Sequence, residues 1–280
     1  MLSLSKLYGI LAKKSSGLGA YSKIFSEKVF PNRARRAVWQ VSGASEGNRV
    51  PQGISPQQEE RCMQALTSVE CITNILKRQL VDRIGVFEHF WGDTYRSWLE
   101  GGYIREGENL ADHFGYDLEL CWPFNMVADL DYVPEVVEET EETILVRDGN
   151  GALLRCHKLH DSTPEHVDFL VKDRRAWEEH IKPKLLPDRR RIHFEAYRNT
   201  RRYARERQRF FCWSGVNVFE LMPPVCGHEY MLMGMIDDPD WVRDMVNTYA
   251  ELTINLMEIL FAEEGLPDGM TKSWKPKSPM

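Results

Sequence analysis

The chain has 280 residues, is 42% hydrophobic and carries a formal net charge of -6 with a pI near 5.8. This acidic balance argues against a nucleic-acid partner, and no apolar run reaches the roughly 18 residues that a membrane span needs. The length suits one large barrel or two smaller domains. Six cysteines without a CxxC pair are typical of reduced thiols, which predicts a cytoplasmic protein.

The first 62 residues differ in composition from the rest, and we expect a poorly ordered basic extension there. Residues 1–40 contain eight Lys or Arg against one acid, Glu27. A transit-like presequence, a disordered arm and a start codon chosen too early are three explanations that stay open. We favour the third, because Met63 precedes Thr67-Ser-Val-Glu70, a capping-box sequence that begins the first convincing helix.

Two short apolar runs come next, each ending in polar and aromatic residues. Arg83–Phe87 predicts a first strand, followed by a helix that Asp93 or Thr94 can cap. Leu118–Trp122 predicts a second strand, which Pro123 ends. A strand followed by a helix, twice over, indicates a parallel α/β arrangement, in which ligands bind at the carboxyl ends of strands.

A hairpin then interrupts the α/β pattern. Thr143–Arg147 and Ala152–Cys156 flank Asp148-Gly-Asn-Gly151, and the Asn-Gly pair favours a tight turn. We predict an insertion beside the main sheet. The acidic run Glu135–Glu142 before it is interpreted as a solvated lead-in.

The second half begins with two predicted helices, one capped by Asp173 and one from Arg189 to about Gln208 that carries eight Arg. Phe210–Trp213 predicts a third strand. The residues 214–217 lead into a Met-rich helix, and Gly215 there allows either close approach of a ligand or tight packing. Pro239 at the first helical position predicts a long final helix that ends at Glu264.

Four stretches carry a family resemblance: VDRIGVFEHFWGDT, GYDLELCWPFNMVADLD, RDGNGALLRCHKLHDSTPEHVDFLVKDRRAWEE and FFCWSGVNVFELMPPVCGHEYMLMGMIDDPDWV. Within residues 63–269 the chain resembles the uncharacterised branch of the uroporphyrinogen decarboxylase superfamily, which also holds the methylcobamide:coenzyme M methyltransferases. The resemblance implies an α/β fold, namely a partial (β/α)8 barrel of about three strands with an inserted β-hairpin. It implies decarboxylase- or methyltransferase-type full-length relatives, whose substrate is a tetrapyrrole, a corrinoid or a thiol.

The chain departs from both groups of that superfamily. The decarboxylases end their first strand in Arg-Gln-Ala-Gly-Arg and their second in Ser-Asp, where this chain has Glu-His-Phe-Trp-Gly-Asp and Cys-Trp-Pro-Phe-Asn. The methyltransferases hold zinc through a His-x-Cys pair and a later Cys in the second half of the barrel, a half that we expect this chain to lack. We therefore identify no cofactor, and expect zinc only in full-length relatives. Residues 270–280 are predicted to be a non-homologous tail that forms no core strand.

Candidate site residues lie where the predicted strands end. His89, with Glu88 and Asp93, is the candidate for acid/base or ligand-orienting chemistry, and a structural hydrogen-bonded His is the alternative. The candidate substrate-binding residues are Trp91, Trp122, Asn125 and Asn217. Asn125 could instead cap a turn, and Trp122 could instead pack. No metal site is predicted, because His157, His160 and His166 lack matching Cys or carboxylate spacing.

The sequence thus predicts a truncated barrel whose third strand is unpaired on one side, and therefore an unstable, self-associating chain that does not catalyse its family's reaction. The alternative is an inactive fragment or a non-catalytic partner of a split barrel.

Overall fold

The computed structural model describes residues 65–215 and 217–272, so the predicted extension of residues 1–62 lies outside the described residues. The α-helices are α1 Ser68–Leu76, α2 Gly92–Glu100, α3 Leu110–His113, α4 Arg174–Ala176, α5 Phe194–Glu206, α6 Val218–Leu221, α7 Pro223–Asp237 and α8 Pro239–Glu264, and a π-helix at Trp177–Ile181 continues α4. The strands are β1 Leu118–Cys121, β2 Glu135–Glu139, β3 Thr143–Arg147, β4 Ala152–His157, β5 Glu165–Phe169, β6 Phe210–Gly215 and β7 Gly269–Lys272.

A three-stranded parallel sheet in the order β1-β6-β7 forms the centre of the fold. Its register aligns Leu118 with Phe210 and Cys212 with Gly269. The second and third predicted strands are confirmed as β1 and β6. The fold is therefore mixed α/β, and the sheet formed by the described residues is open and does not close into a barrel.

The predicted first strand at Arg83–Phe87 is wrong, because this segment forms no strand. One backbone hydrogen bond, from Asp117 N–H to Val86 O at 2.8 Å, links it to the start of β1. The Val86 N–H donates instead to the Asp117 carboxylate, at 2.7 Å. The Asp117 side chain therefore accepts the N–H that a second backbone hydrogen bond to a neighbouring strand would use.

The end of the parallel sheet also differs from expectation. Residues 269–272 form β7 and pair with β6, so the third predicted strand is paired on both sides and the start of the predicted tail is a strand. Asp268 fixes this pairing: its N–H donates to Phe211 O at 3.0 Å, and its carboxylate accepts from Phe211 N–H at 2.9 Å. Backbone pairing of this kind needs no apolar side chains, and composition alone gave no signal for it.

A four-stranded antiparallel sheet in the order β2-β3-β4-β5 contains the predicted hairpin, which is confirmed as β3 and β4. The acidic lead-in is solvated as predicted, since all five residues Glu135–Glu139 are exposed. It is also a strand, β2, which was not predicted. Gly227, at φ 73° inside α7, lies against the Phe169 ring of β5, which a Cβ would overlap. This contact joins the antiparallel sheet to α7.

Helix boundaries follow the capping chemistry with two exceptions. Thr67 and Glu70 form the predicted capping box of α1, and α8 runs from Pro239 to Glu264 as predicted. However, α2 begins at Gly92 and not after a cap at Asp93 or Thr94. The predicted helix from Arg189 to Gln208 is split, because residues 189–191 form a 3-10 turn before α5 begins.

The main core lies between the parallel sheet and helices α5 and α8. It contains Phe211 and Trp213 of β6, Tyr197 of α5 and Leu256 of α8, all nearly inaccessible to solvent. A smaller cluster packs Ile72 of α1 against β6. None of the described helices is long and apolar enough to cross a membrane.

Candidate functional site

The carboxyl ends of β1 and β6 lie side by side, at the edge where α/β proteins bind ligands. A cavity of ≈ 30 Å³ lies there. This volume is about that of one water molecule. Its lining residues come from both strand ends and two helices: Trp122, Phe124, Met126, Trp213, Ser214, Gly215, Leu221 and Thr253.

A larger space of ≈ 960 Å³ lies against residues 192–202. Its lining residues belong to the start of α5 and the two residues before it. A single helix presents a convex surface, and no second described element closes this space. We therefore place the candidate site at the strand ends.

Trp213 and Gly215 shape the floor of the small cavity. A Cβ at Gly215 would overlap the six-membered ring of Trp213, so the glycine makes room for the indole. Phe124 meets the same indole edge-on, with ring centroids 5.6 Å apart. Of the two explanations for Gly215, tight packing is the one that the geometry supports.

The side chains of the three candidate catalytic residues do not form a hydrogen-bonded triad. The exposed His89 donates its backbone N–H to Glu88 Oε1 at 2.8 Å, and its ring meets Trp122 edge-on at 6.4 Å. Asp93 instead pairs with Arg96, and its Oδ2 lies 3.5 Å from His160 Nδ1. His89 is thus in contact with a residue that lines the cavity, whereas Asp93 is tied to the loop after β4.

Two of the four candidate substrate-binding residues cap local backbone. Asn125 Oδ1 accepts from Val127 N–H at 3.0 Å, and Asn217 Oδ1 accepts from Glu220 N–H at 3.1 Å to cap α6. Trp91 precedes α2 and is 37% exposed. Trp122 is the one of the four that lines the cavity.

Two buried thiols lie on the strands that lead to the cavity. Burial raises the pKa of Cys121 to about 11 and the pKa of Cys212 to about 12. Both therefore remain protonated at neutral pH and are poor nucleophiles in this state.

Arg191 organises the loop after β1, a role that no sequence pattern indicated. The side chain is 1% exposed. It donates five hydrogen bonds to backbone carbonyls, those of Asn125, Val127, Ala128, Lys184 and Leu186. Burial lowers its pKa, and the carbonyl oxygens take the place of a carboxylate partner. The guanidinium thus holds the loop in place and has no donor left for a ligand.

The β3–β4 turn holds the same loop from the other side. Asn150 is 3% exposed, and its Oδ1 accepts from Ala128 N–H at 2.9 Å. Asp129 N–H donates to Gly149 O at 3.0 Å. The hairpin is therefore docked by its tip onto the loop that follows β1, and is more than an appendage beside the main sheet.

The histidines after β4 do not assemble a metal centre. The rings of His157 and His160 lie 4.8 Å apart, and Leu159 N–H donates to His157 Nδ1 at 3.1 Å. Across residues 65–215 and 217–272, no three His, Cys, Asp or Glu side chains are grouped to hold a metal ion.

Comparison of the chain with protein-family models, curated proteins and solved structures found no match.

Proposed function

We propose that this protein is a cytoplasmic member of the uroporphyrinogen decarboxylase superfamily and that its described residues form an open part of a (β/α)8 barrel. The observation that carries the proposal is the parallel sheet, in which β1, β6 and β7 lie in chain order and α5 and α8 precede the second and third strands. Neighbouring strands of such barrels follow one another in the same way. The segment beside β1 at Val86 would then occupy the place of a first strand.

The proposed role is to bind a flat small molecule at the carboxyl ends of the strands. A tetrapyrrole or corrinoid cannot enter a cavity of ≈ 30 Å³, so it would lie across the aromatic rim of Trp122 and His89. Aromatic side chains at such a rim favour planar ligands by stacking.

We further propose that this chain does not catalyse decarboxylation or methyl transfer by itself. The Asp93 carboxylate already pairs with Arg96 and His160, and His89 is exposed. These candidate residues therefore form no buried acid/base pair at the rim. In the described residues β7 pairs with β6 alone, and its outer edge is open to a second polypeptide. Pairing there would supply further strands of the barrel, which makes a split barrel or self-association the natural form of the active assembly.

Calorimetric titration of the 280-residue protein with uroporphyrin and with methylcobalamin tests the binding role. We expect saturable binding of at least one of them and a loss of about tenfold in affinity in Trp122→Leu, equal to about 1.4 kcal/mol. Trp98→Leu is the matched control, because Trp98 packs on Phe90 and Phe114 outside the cavity. Binding of neither compound, or equal effects of the two substitutions, would contradict the proposal.

A further inference from the structure

Trp213 carries a buried donor without an acceptor. Its side chain is 5% exposed, and in the described part of the chain no acceptor lies within hydrogen-bonding distance of Nε1. Leaving a buried N–H unpaired destabilises a fold, and a phenylalanine would pack without that cost. The indole ring also borders the cavity at the carboxyl end of β6.

The cavity has the size and the lining for one uncharged oxygen. Its volume of ≈ 30 Å³ is that of a single water. Thr253, which also lines it, donates its hydroxyl proton to Tyr249 O at 2.8 Å, so its Oγ1 is left as an acceptor. Ser214 also lines the cavity but already has a partner elsewhere, and the apolar side chains of Phe124, Met126 and Leu221 make a desolvated carboxylate unfavourable there.

We propose that this cavity is a hydroxyl-binding subsite. In it, Trp213 Nε1–H donates a hydrogen bond to the bound oxygen, and Thr253 Oγ1 accepts a hydrogen bond from the O–H of that group. A water fills the subsite in the free protein, and a hydroxyl group of the ligand replaces it on binding. This inference rests on the proposed function, since it names the ligand group that enters at the rim beside Trp122, and it favours the corrinoid, which carries hydroxyl groups, over uroporphyrin, whose side chains are carboxylates.

An unpaired donor alone does not make such a site. Trp241 Nε1 and Tyr116 Oη also lack acceptors among the described residues, yet neither borders this cavity. Trp241 lies in the first turn of α8, and its ring packs over Gly234 of α7. Its indole therefore serves as an internal control.

Nuclear magnetic resonance of the full chain with isotope-labelled indole groups tests the subsite. We expect a cross-peak between the Trp213 indole proton and a long-lived water, with none at Trp241. Methanol should shift the Trp213 resonance and remove the cross-peak, whereas formate, an anion of similar size, should leave both unchanged. Trp213→Phe assigns the resonance, and Thr253→Val, which keeps the shape but removes the acceptor, should weaken the cross-peak.

Each other outcome counts against the inference. A Trp213 resonance with no water cross-peak and no response to methanol overturns the subsite. A cross-peak that methanol does not alter shows a structural water and overturns the ligand role, and an equal response to formate overturns the uncharged class. Because Thr253→Val and the unaltered protein supply these readouts, failure of Trp213→Phe to fold leaves the test intact. The test uses neither uroporphyrin nor methylcobalamin, so it can fail or succeed independently of the proposed function.

Discussion

Arg83 and Asp117 form a two-armed ion pair in which each guanidinium Nη lies 2.6 Å from a carboxylate oxygen. Asp117 is fully buried directly before β1, and its carboxylate also accepts the N–H of Val86 at 2.7 Å. This pair fixes the segment that precedes α2 to the amino-terminal end of the parallel sheet. It therefore supports the fold from the end opposite the candidate site.

Asp117→Asn should destabilise the protein by about 2 to 3 kcal/mol, because it leaves one arm of Arg83 facing an amide N–H₂. The loss stays below that of a fully buried pair, since the Arg83 side chain is 39% exposed. Asp240→Asn breaks an exposed pair with Arg243 and should change stability by less than about 0.5 kcal/mol. Urea unfolding measures both, and equal effects would refute a special role for Asp117.

The same carboxylate predicts an acid limb in the stability profile. Burial alone would raise the pKa of Asp117, but hydrogen bonds from Arg83, Ser68 and Val86 outweigh it and lower the pKa. With the folded pKa below the unfolded value of about 3.9, the ionised group stabilises the fold above that pH and loses its effect as the pH falls through the folded pKa. Melting temperatures of the unaltered protein should fall more steeply below about pH 4 than those of Asp117→Asn. Parallel curves would contradict this assignment.

Arg191→Lys should cost about 3 kcal/mol although it conserves the charge, because an ammonium has three donors and the guanidinium serves five carbonyls. Arg202→Lys is the control, since Arg202 is exposed and donates to the neighbouring Asn199. Its effect should stay within about 0.5 kcal/mol. Thermal unfolding distinguishes the two, and a stable Arg191→Lys protein would show that the carbonyl network is dispensable.

Asn150→Asp should destabilise the docked turn by about 2 kcal/mol at neutral pH, because Asn150 Nδ2 lies 3.2 Å from Asp148 Oδ2 and a second carboxylate would meet the first. The penalty should shrink as the pH falls towards 4, where the introduced carboxyl beside a like charge takes up a proton. Asn199→Asp, at an exposed position of α5, should show little effect and no such pH dependence. Equilibrium unfolding at several pH values provides the comparison. A penalty that is the same at every pH would rule out carboxylate repulsion as its cause.

Local signals in the sequence predicted local structure well. Thr67 with Glu70, the Asn150-Gly151 turn and Pro239 at the start of α8 are all local signals, and all three are confirmed. The strand β6 was predicted from the apolar run Phe210–Trp213, and its residues are almost all buried in the structure.

Structure that depends on distant partners was missed. The segment at Arg83 has the composition of a strand, but Asp117, 34 residues away, takes the backbone donor that a neighbouring strand would need. Both β2 and β7 are polar or exposed, and their pairing partners alone define them. The roles of Arg191 and Asn150 likewise depend on loop carbonyls and amides that leave no mark in a side-chain pattern.

The structure brings together some of the candidate site residues and separates others. Trp122 lines the cavity and His89 contacts Trp122 as their place at the end of a predicted strand suggested, but Asn125 and Asn217 cap backbone. Trp213 was counted as a strand residue alone. Its buried Nε1 without a partner among the described residues and its contacts with Phe124 and Gly215 depend on tertiary packing, which no sequence pattern records.

Sedimentation velocity of the purified chain over a range of concentrations tests most directly whether the edge of β7 that no other described strand occupies pairs with another chain. We predict association that strengthens with concentration and weakens at least tenfold in Met270→Lys, because Met270 is 44% exposed on β7 and a lysine there disfavours edge pairing. Met233→Lys, at a residue 53% exposed on α7, should leave association unchanged. A monomer at every concentration, or equal effects of the two lysines, would contradict pairing at β7.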